Sequence, residues 1–218
     1  MEANLRQGSH ILTALTSNAA FSTVHVLARK DVPGSEKVSV ITSTDSNSWP
    51  TMFPSETSVF ISALGTTARQ AGSFAKQREI DYDLNVALIT AAKKKGARIY
   101  VLISTAGASP DSMMPYTKMK GELDEAAKSA GFDRTIILKP GLLVGTREDS
   151  RPGEFIGRKM ASFLGAVSGN ILKDPWAVDA EIVARAAVAA SVKALNGEMV
   201  EKVTVLGQKD VLRMGRST

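Results

Sequence analysis

Short runs of apolar and β-branched residues recur along the chain, separated by stretches in which apolar positions return every three or four residues. The runs predict strands at residues 23–28, 38–41, 58–63, 99–103, 135–138 and 203–206, and the longer period predicts helices at 9–17, 83–95, 116–130 and 180–195. The strands are continuously apolar rather than alternating. That pattern belongs to a parallel sheet whose two faces are both covered by helices. Loops such as "DVPGSE", "TDSNSWP" and "REDSRPGE" carry the Pro, Gly, Asp and Ser that interrupt regular structure. There is no internal repeat and no low-complexity segment. The predicted fold class is α/β, a Rossmann-like doubly wound parallel sheet, in a single domain over residues 1–218.

Composition narrows this picture only a little. At 218 residues and 44% hydrophobic, the chain can bury a full core without covalent staples. It has no cysteine, which excludes disulfides and thiolate metal sites, and no metal site is expected. The net charge of +5 favours anionic small molecules or an anionic membrane surface. Nucleic acid is not an expected partner, because the basic residues are scattered and aromatics make up 6%. Lys93, Lys94 and Lys95 end a predicted helix, where they face solvent and complement its dipole. No apolar stretch reaches the roughly 20 residues that cross a bilayer. Residues 1–30 are rich in Ser, Thr and Ala like a mitochondrial presequence, but "VHVLA" leads straight into domain-like pattern, so a first helix and strand are expected.

In doubly wound folds ligands bind beyond the carboxyl ends of the strands, so the residues that follow each strand carry the chemistry. Arg29 and Lys30 follow the first predicted strand. No acid stands there to hold adenosine ribose hydroxyls, and an arginine accommodates the 2′-phosphate, which favours NADP over NAD. After the next apolar strand, Ala63, Leu64, Gly65 and Thr66 form a small polar turn suited to close approach of a phosphate or ribose. Asn85 lies in the first turn of the helix predicted at 83–95. Ser104 and Thr105 end the strand at 99–103, and Tyr116 and Lys120, four apart on the next helix, share one face. A free phenol has a pKa of about 10, so a neighbouring ammonium is needed before tyrosine can exchange a proton near neutrality. Pro140 and Gly141 end the strand at 135–138 at the height of a nicotinamide ring. Gly8, at the front of the first predicted helix, has the position of the last glycine of a phosphate-binding loop.

Together these residues resemble an atypical short-chain dehydrogenase/reductase, with Ser104 or Thr105 at a strand end followed by Tyr116-x-x-x-Lys120. The stretches "FISALGTTARQAGS", "IDYDLN", "YVLISTAGASPDSMMPYTKMKGELD" and "LKPGLLVGTREDSRPGEF" are similar to the fungal family called found-in-mitochondrial-proteome protein 52, itself related to the human Tat-interacting reductases. The resemblance runs from about residue 8 to the C-terminus. It implies an NADPH-dependent oxidoreductase acting on a small-molecule carbonyl or alcohol and attached peripherally to the cytosolic face of the mitochondrial outer membrane. It implies Tyr116 as acid/base, Lys120 as its tuning and ribose-binding partner, Thr105 with Ser104 as carbonyl ligands, and Asn85 in a proton relay. Arg29 and Lys30 become the basic pair for NADPH.

One departure stands out. The family opens on a strand and a Gly-x-x-Gly-x-x-Gly loop, whereas here Leu5 and Glu2 stand where the two earlier glycines belong. Residues 1–7 are too few and too polar for that strand and loop, so a shortened or mis-started reductase is expected. The alternative is a non-catalytic Rossmann-fold regulatory or scaffold protein with weakened cofactor binding. Residues 147–175 are the expected substrate side, with Phe155, Met160, Phe163 and Leu164 as an apolar wall. His10 and His25 are expected on a helix surface and in strand packing, Trp49 and Trp176 as loop anchors, and helix 180–195 as core. Asp111 is expected in a loop and Asp124 on a solvated helix face.

Overall fold

Five consecutive apolar residues, Ile99–Ile103, form a strand in which every side chain is buried. The computed structural model describes residues 2–144 and 177–217 around it, so the expected substrate-side segment 147–175 and Trp176 lie outside the described residues. In chain order the elements are α1 (Glu2–Thr16), β1 (Val24–Ala28), β2 (Val38–Thr42), β3 (Val59–Ser62), α2 (Ala68–Ala71) and α3 (Phe74–Arg78). They continue with α4 (Asn85–Lys94), β4 (Ile99–Ile103), α5 (Pro115–Ser129), β5 (Arg134–Lys139), β6 (Leu142–Val144) and β7 (Ala177–Asp179). The chain closes with α6 (Ala180–Leu195), β8 (Val203–Gly207) and α7 (Gln208–Arg216). Among the described residues no helix is long and apolar enough to cross a membrane.

The strands β3-β4-β5-β8 form one parallel sheet, with Val59 opposite Ile99, Ile99 opposite Arg134 and Thr135 opposite Val203. Period-two alternation sends β4 into two cores at once. Ile99, Val101 and Ile103 face Ile11 of α1 and the apolar stripe of α6, including Val183, Ala187 and Ala190. Tyr100 and Leu102 face Leu88 of α4, Leu123 and Ala127 of α5, and Phe132. The Tyr100 ring stacks between Phe60 and Phe132, with centroids 5.2 and 5.3 Å away, and Phe53 meets Phe60 edge-on at 5.1 Å. Trp49 is buried in this second core and anchors its loop there. The alanine-rich α6 is core packing, as its pattern predicts.

Three local features depart from the pattern read along the chain. Helix α1 starts at Glu2, so Gly8 lies within it and not at its front. No glycine or proline interrupts residues 2–7, and Glu, Ala, Leu, Arg and Gln all sustain a helix. The other end of α1 is held by Lys37, whose ammonium donates to the carbonyls of Leu15, Thr16 and Asn18 at 3.2, 3.1 and 2.5 Å, satisfying acceptors the helix itself leaves open. The helix predicted at 83–95 is reached through a π turn at Glu79–Leu84, where the hydrogen-bond period widens by one residue. His25 is exposed on β1 rather than packed.

A further departure concerns the sheet. Strands β1 and β2 pair with each other in parallel, and β6 pairs with β7, but no ladder joins β1 to β3 among the described residues. Val59, Phe60 and Ile61 of β3 are consequently only partly covered, while their β4 neighbours are buried.

Two glycines test the packing. A Cβ on Gly121 of α5 would sit 2.1 Å from the backbone of Ser109, whereas one on Gly8 meets nothing within 4 Å. Gly121→Ala is expected to destabilise by about 3 kcal/mol through overpacking against a backbone that cannot rotate away. Gly8→Ala is expected to stabilise by about 0.5–1 kcal/mol, as in any exposed helix interior. Urea denaturation of the two variants measures both, and a destabilising Gly8→Ala would place Gly8 outside a helix.

Candidate active site

The carboxyl ends of β3, β4 and β5 lie side by side, and backbone hydrogen bonds tie the turns that follow them. Ser104 N–H donates to the Leu138 carbonyl at 2.8 Å, and Ala106 N–H to that of Pro140, also at 2.8 Å. Gly141 N–H donates to the side-chain carbonyl of Gln208 at 2.7 Å. The predicted residues Ser104, Thr105, Pro140 and Gly141 are thereby brought to one edge of the sheet.

Ser104 is buried, and its hydroxyl has no hydrogen-bond partner among the described residues. An orphaned buried hydroxyl carries a desolvation cost of about 1–3 kcal/mol that a bound oxygen would remove. Thr105 beside it is partly exposed.

Tyr116 and Lys120 differ sharply in depth although they share a face of α5. Pro115 starts the helix and Tyr116 stands in its first turn, 42% exposed. Lys120, one turn further in, is only 4% exposed. Burial lowers the Lys120 pKa, because taking an ammonium out of water favours its neutral form, and the carboxylates of Asp81 and Asp124 oppose that shift. Next to Lys120, Gly121 admits the Ser109–Pro110 backbone against the helix, and Ser109 N–H donates to the Thr117 carbonyl at 3.1 Å. The loop between Thr105 and Tyr116 is thus clamped onto α5.

Asp124 is a correction. Expected on a solvated face, it is 1% exposed and ion-paired to Lys139 at 2.9 Å. The same ammonium donates to the Ala108 carbonyl at 2.9 Å, so Lys139 joins β5, α5 and the loop after β4.

A second polar group, of which the predicted site included only Asn85, supports the turn after β3. Gln77, Asp81 and Asn85 recur at intervals of four and are all buried. Asp81 accepts from the Thr66 backbone N–H at 2.5 Å, and Gln77 donates to the Thr66 carbonyl at 2.9 Å. Asn85 accepts from the Ser62 hydroxyl at 2.6 Å and donates to the carbonyls of Leu64, Ile80 and Asp81 at 3.3, 3.3 and 3.0 Å. The structure therefore places Asn85 as a brace between β3 and the π turn, with Ala63–Thr66 held above it. Their spacing of four puts the three on one helical face, but Lys76, Arg78, Glu79 and Asp83 stand among them, so burial and not composition distinguishes the brace.

Arg29 and Lys30 directly follow β1, with Lys30 exposed. Gly8 lies inside α1 and is exposed, so it forms no part of a phosphate loop among the described residues. Ser104, Thr105, Pro140 and Gly141 thus meet at one sheet edge, whereas Gly8 stands in a helix and not in a glycine loop among the described residues.

Burial pushes the Asp81 carboxyl up to about 6, with Lys120, the Thr66 N–H and Gln77 pulling the other way. The folded chain holds this proton more tightly than the unfolded one, so the stabilising contribution is complete below pH about 4 and is lost as pH rises through about 6, a change of about 3 kcal/mol. Asp81→Asn is expected to flatten the stability profile between those pH values. Urea midpoints measured across that range test this, and an unchanged slope would assign the titration to another group.

Comparison with known proteins completes the picture. The HIM1 family model matches residues 55–167. The chain is 43% identical over 219 residues to "Protein fmp52-1, mitochondrial" of Aspergillus terreus, covering 96% of this chain and 94% of that protein. It is 44% identical over 220 residues to "Protein fmp52, mitochondrial" of Emericella nidulans, with the same coverage. Among solved structures, it superposes on the UDP-Glc/GlcNAc 4-epimerase of Campylobacter jejuni with TM-score 0.67 and 15% identity, over 95% of this chain and 78% of that one. A short chain dehydrogenase family protein of Francisella tularensis matches with TM-score 0.60 and 14% identity, over 94% and 93%. MoeE5, solved with UDP-glucuronic acid and NAD, matches with TM-score 0.64 and 17% identity, over 92% and 72%.

Proposed function

The chain belongs to the HIM1/FMP52 family and has the short-chain dehydrogenase fold, and from that premise we propose that it is an NADP-dependent oxidoreductase acting on a small-molecule carbonyl or alcohol. The observation that carries the reading is the buried, unpartnered Ser104 hydroxyl at the same sheet edge as Thr105, Pro140 and Gly141, with Tyr116 and Lys120 on the helix that follows.

When bound there, NADPH supplies the hydride. The chain's own residues do the rest. Ser104, with Thr105, donates a hydrogen bond to the carbonyl oxygen and fixes its position. Tyr116, exposed enough to meet a substrate, holds the proton that the oxygen takes up. Lys120 lowers the cost of the phenolate that remains, because a positive charge favours the ionised phenol. Burial lowers the Lys120 pKa on balance, and the charges of Asp81 and Asp124 oppose that loss of its proton. Asn85 braces Ala63, Leu64, Gly65 and Thr66 beneath the cofactor. Arg29 and Lys30 would hold the 2′-phosphate, which underlies the choice of NADP over NAD.

The location of Gly8 inside α1 favours a second reading, a non-catalytic regulatory or scaffold protein on the same fold. The relatives' names support a mitochondrial location. Peripheral attachment to the cytosolic face of the outer membrane is proposed with it, supported by the net charge of +5.

Turnover of NADPH over a panel of aldehydes and ketones tests the enzyme reading. Tyr116→Phe is expected to lower kcat by about a hundredfold or more, since general acid catalysis contributes that much. Arg29→Asp is expected to raise KM for NADPH about tenfold or more while sparing NADH, from the loss of a charge-assisted hydrogen bond. A Tyr116→Phe variant that turns over like the parent, or a parent with no turnover on any substrate, supports the non-catalytic reading.

A further inference from the structure

Lys139 is the last residue of β5, and its ammonium reaches groups on two other elements. It pairs with Asp124 of α5 at 2.9 Å and donates to the Ala108 carbonyl at 2.9 Å. Asp124 lies one turn beyond Lys120 on the same face of α5, with 1% of it exposed against 4% of Lys120. Neither carboxylate oxygen of Asp124 has a hydrogen-bond partner among the described residues. A buried carboxylate without hydrogen bonds must be balanced by charge, and here Lys139 stands by it in an ion pair and Lys120 one turn away. Charges removed from water act strongly on one another, so the two ammoniums share one anion.

The second contact of Lys139 bears on geometry. Ala108 lies in the loop that carries the chain from Thr105 to Tyr116. Ala106 N–H donates to the Pro140 carbonyl at 2.8 Å where this loop leaves β4, and Ser109 N–H to the Thr117 carbonyl at 3.1 Å where it meets α5. Lys139 takes the Ala108 carbonyl between these two points. One side chain therefore joins the strand end that carries Ser104 to the helix that carries Tyr116 and Lys120.

We propose that Lys139 is a positioning residue for the reaction at this site: it fixes the loop between Thr105 and Tyr116 against α5 and sets how strongly Asp124 acts on Lys120. The assignment rests on the oxidoreductase reading. The other groups around the pair leave this role to Lys139. Asp81 of the π turn acts on Lys120 and is committed to the Thr66 N–H. Tyr100 of β4 lies near Asp124, but burial pushes its phenol up, so it stays neutral. Helix α4 packs here through Leu88 and Ala92, which carry no charge. Arg78 of α3 is paired at 2.6 Å with Glu122, on a part of α5 that is not buried. Tyr116 stands one turn before Lys120 on α5 itself.

The test follows Lys120 in the whole chain made with isotopically labelled lysine, its side-chain NMR signal assigned by its loss in Lys120→Arg. Lys139→Met keeps the length of the side chain and removes its charge. Asp124 then acts on Lys120 undivided, and Lys120 is expected to hold its proton about tenfold more tightly. Asp124→Asn is expected to loosen the same proton about tenfold. Lys139→Met is also expected to speed hydrogen exchange of the Ala106 and Ser109 amides about tenfold and to leave β8 unchanged. In turnover it is expected to lower kcat about tenfold or more with KM for NADPH unchanged, because the loop loosens and not the cofactor. Lys139→Arg, which keeps the charge and a donor, is expected to restore the titration, the exchange and most of kcat. If Lys139→Met does not fold, Lys139→Gln gives the same comparison. A Lys120 titration that moves in one direction in both Lys139→Met and Asp124→Asn is the mark of lost packing and would overturn the proposal. So would an unmoved titration, or Ala106 and Ser109 amides that exchange as in the parent. Titration and exchange are read without turnover, so a parent that reduces no substrate overturns the oxidoreductase reading and is distinguished from a failure of the Lys139 role.

Discussion

An ammonium group enclosed in a protein must be balanced by nearby charge or it loses its proton, and Lys120 imposes that condition on everything around it. It is held almost out of solvent on α5, with Asp81 contributed by the π turn and Asp124 by its own helix. Each carboxylate is committed in turn to backbone. Asp81 receives the Thr66 N–H after β3, and Asp124 pairs with Lys139, which reaches the loop after β4. Three strand ends are thus positioned by the groups that oppose the loss of charge at one buried lysine. The arrangement costs stability, since Asp81 is buried far enough to hold a proton near pH 6. Such a cost is typical of a region shaped for chemistry and not only for packing.

The sheet beneath is unevenly strong. Around β4 every position is enclosed on both faces, and the aromatic stack of Phe60, Tyr100 and Phe132 runs across three adjacent elements. That stack reaches β3, where the ladder stops. The β1–β2 pair is therefore joined to the rest through side chains and through α1, which Lys37 ties to the loop entering β2. Backbone hydrogen bonds tie together the strand ends that carry Ser104, Thr105, Pro140 and Gly141, whereas among the described residues no ladder joins them to the β1–β2 pair that leads to Arg29 and Lys30.

Much of this was legible in the residues themselves. Apolar runs placed β4 and β5 within a residue or so, because their central residues are buried on both faces, and placed β8 equally well although Val205 is exposed. The pair Tyr116 and Lys120 was visible from spacing and from its place after a strand ending in Ser-Thr. Depth was not visible. Lys118 and Lys120 are the same residue type two positions apart, one exposed and one enclosed, and only the packing of α5 against the Ser109–Pro110 backbone distinguishes them. Asp124 was misplaced on a solvated face for the same reason, since its partner Lys139 is distant in sequence. Gly8 was placed at a helix start because glycine there has a functional meaning, yet the polar residues before it are good helix formers and extend the helix past it.

The central proposal is that the sheet edge carrying Ser104, with Tyr116 and Lys120 on the helix that follows, receives a nicotinamide cofactor even though Gly8 provides no phosphate cradle. Calorimetric titration of the purified chain with NADPH and, separately, NADH measures this most directly. The account predicts saturable binding of one NADPH per chain, tighter than NADH, and abolished by Lys120→Ala in a chain that remains folded. Absence of binding up to about 1 mM, equivalent to no more than about −4 kcal/mol, would contradict it.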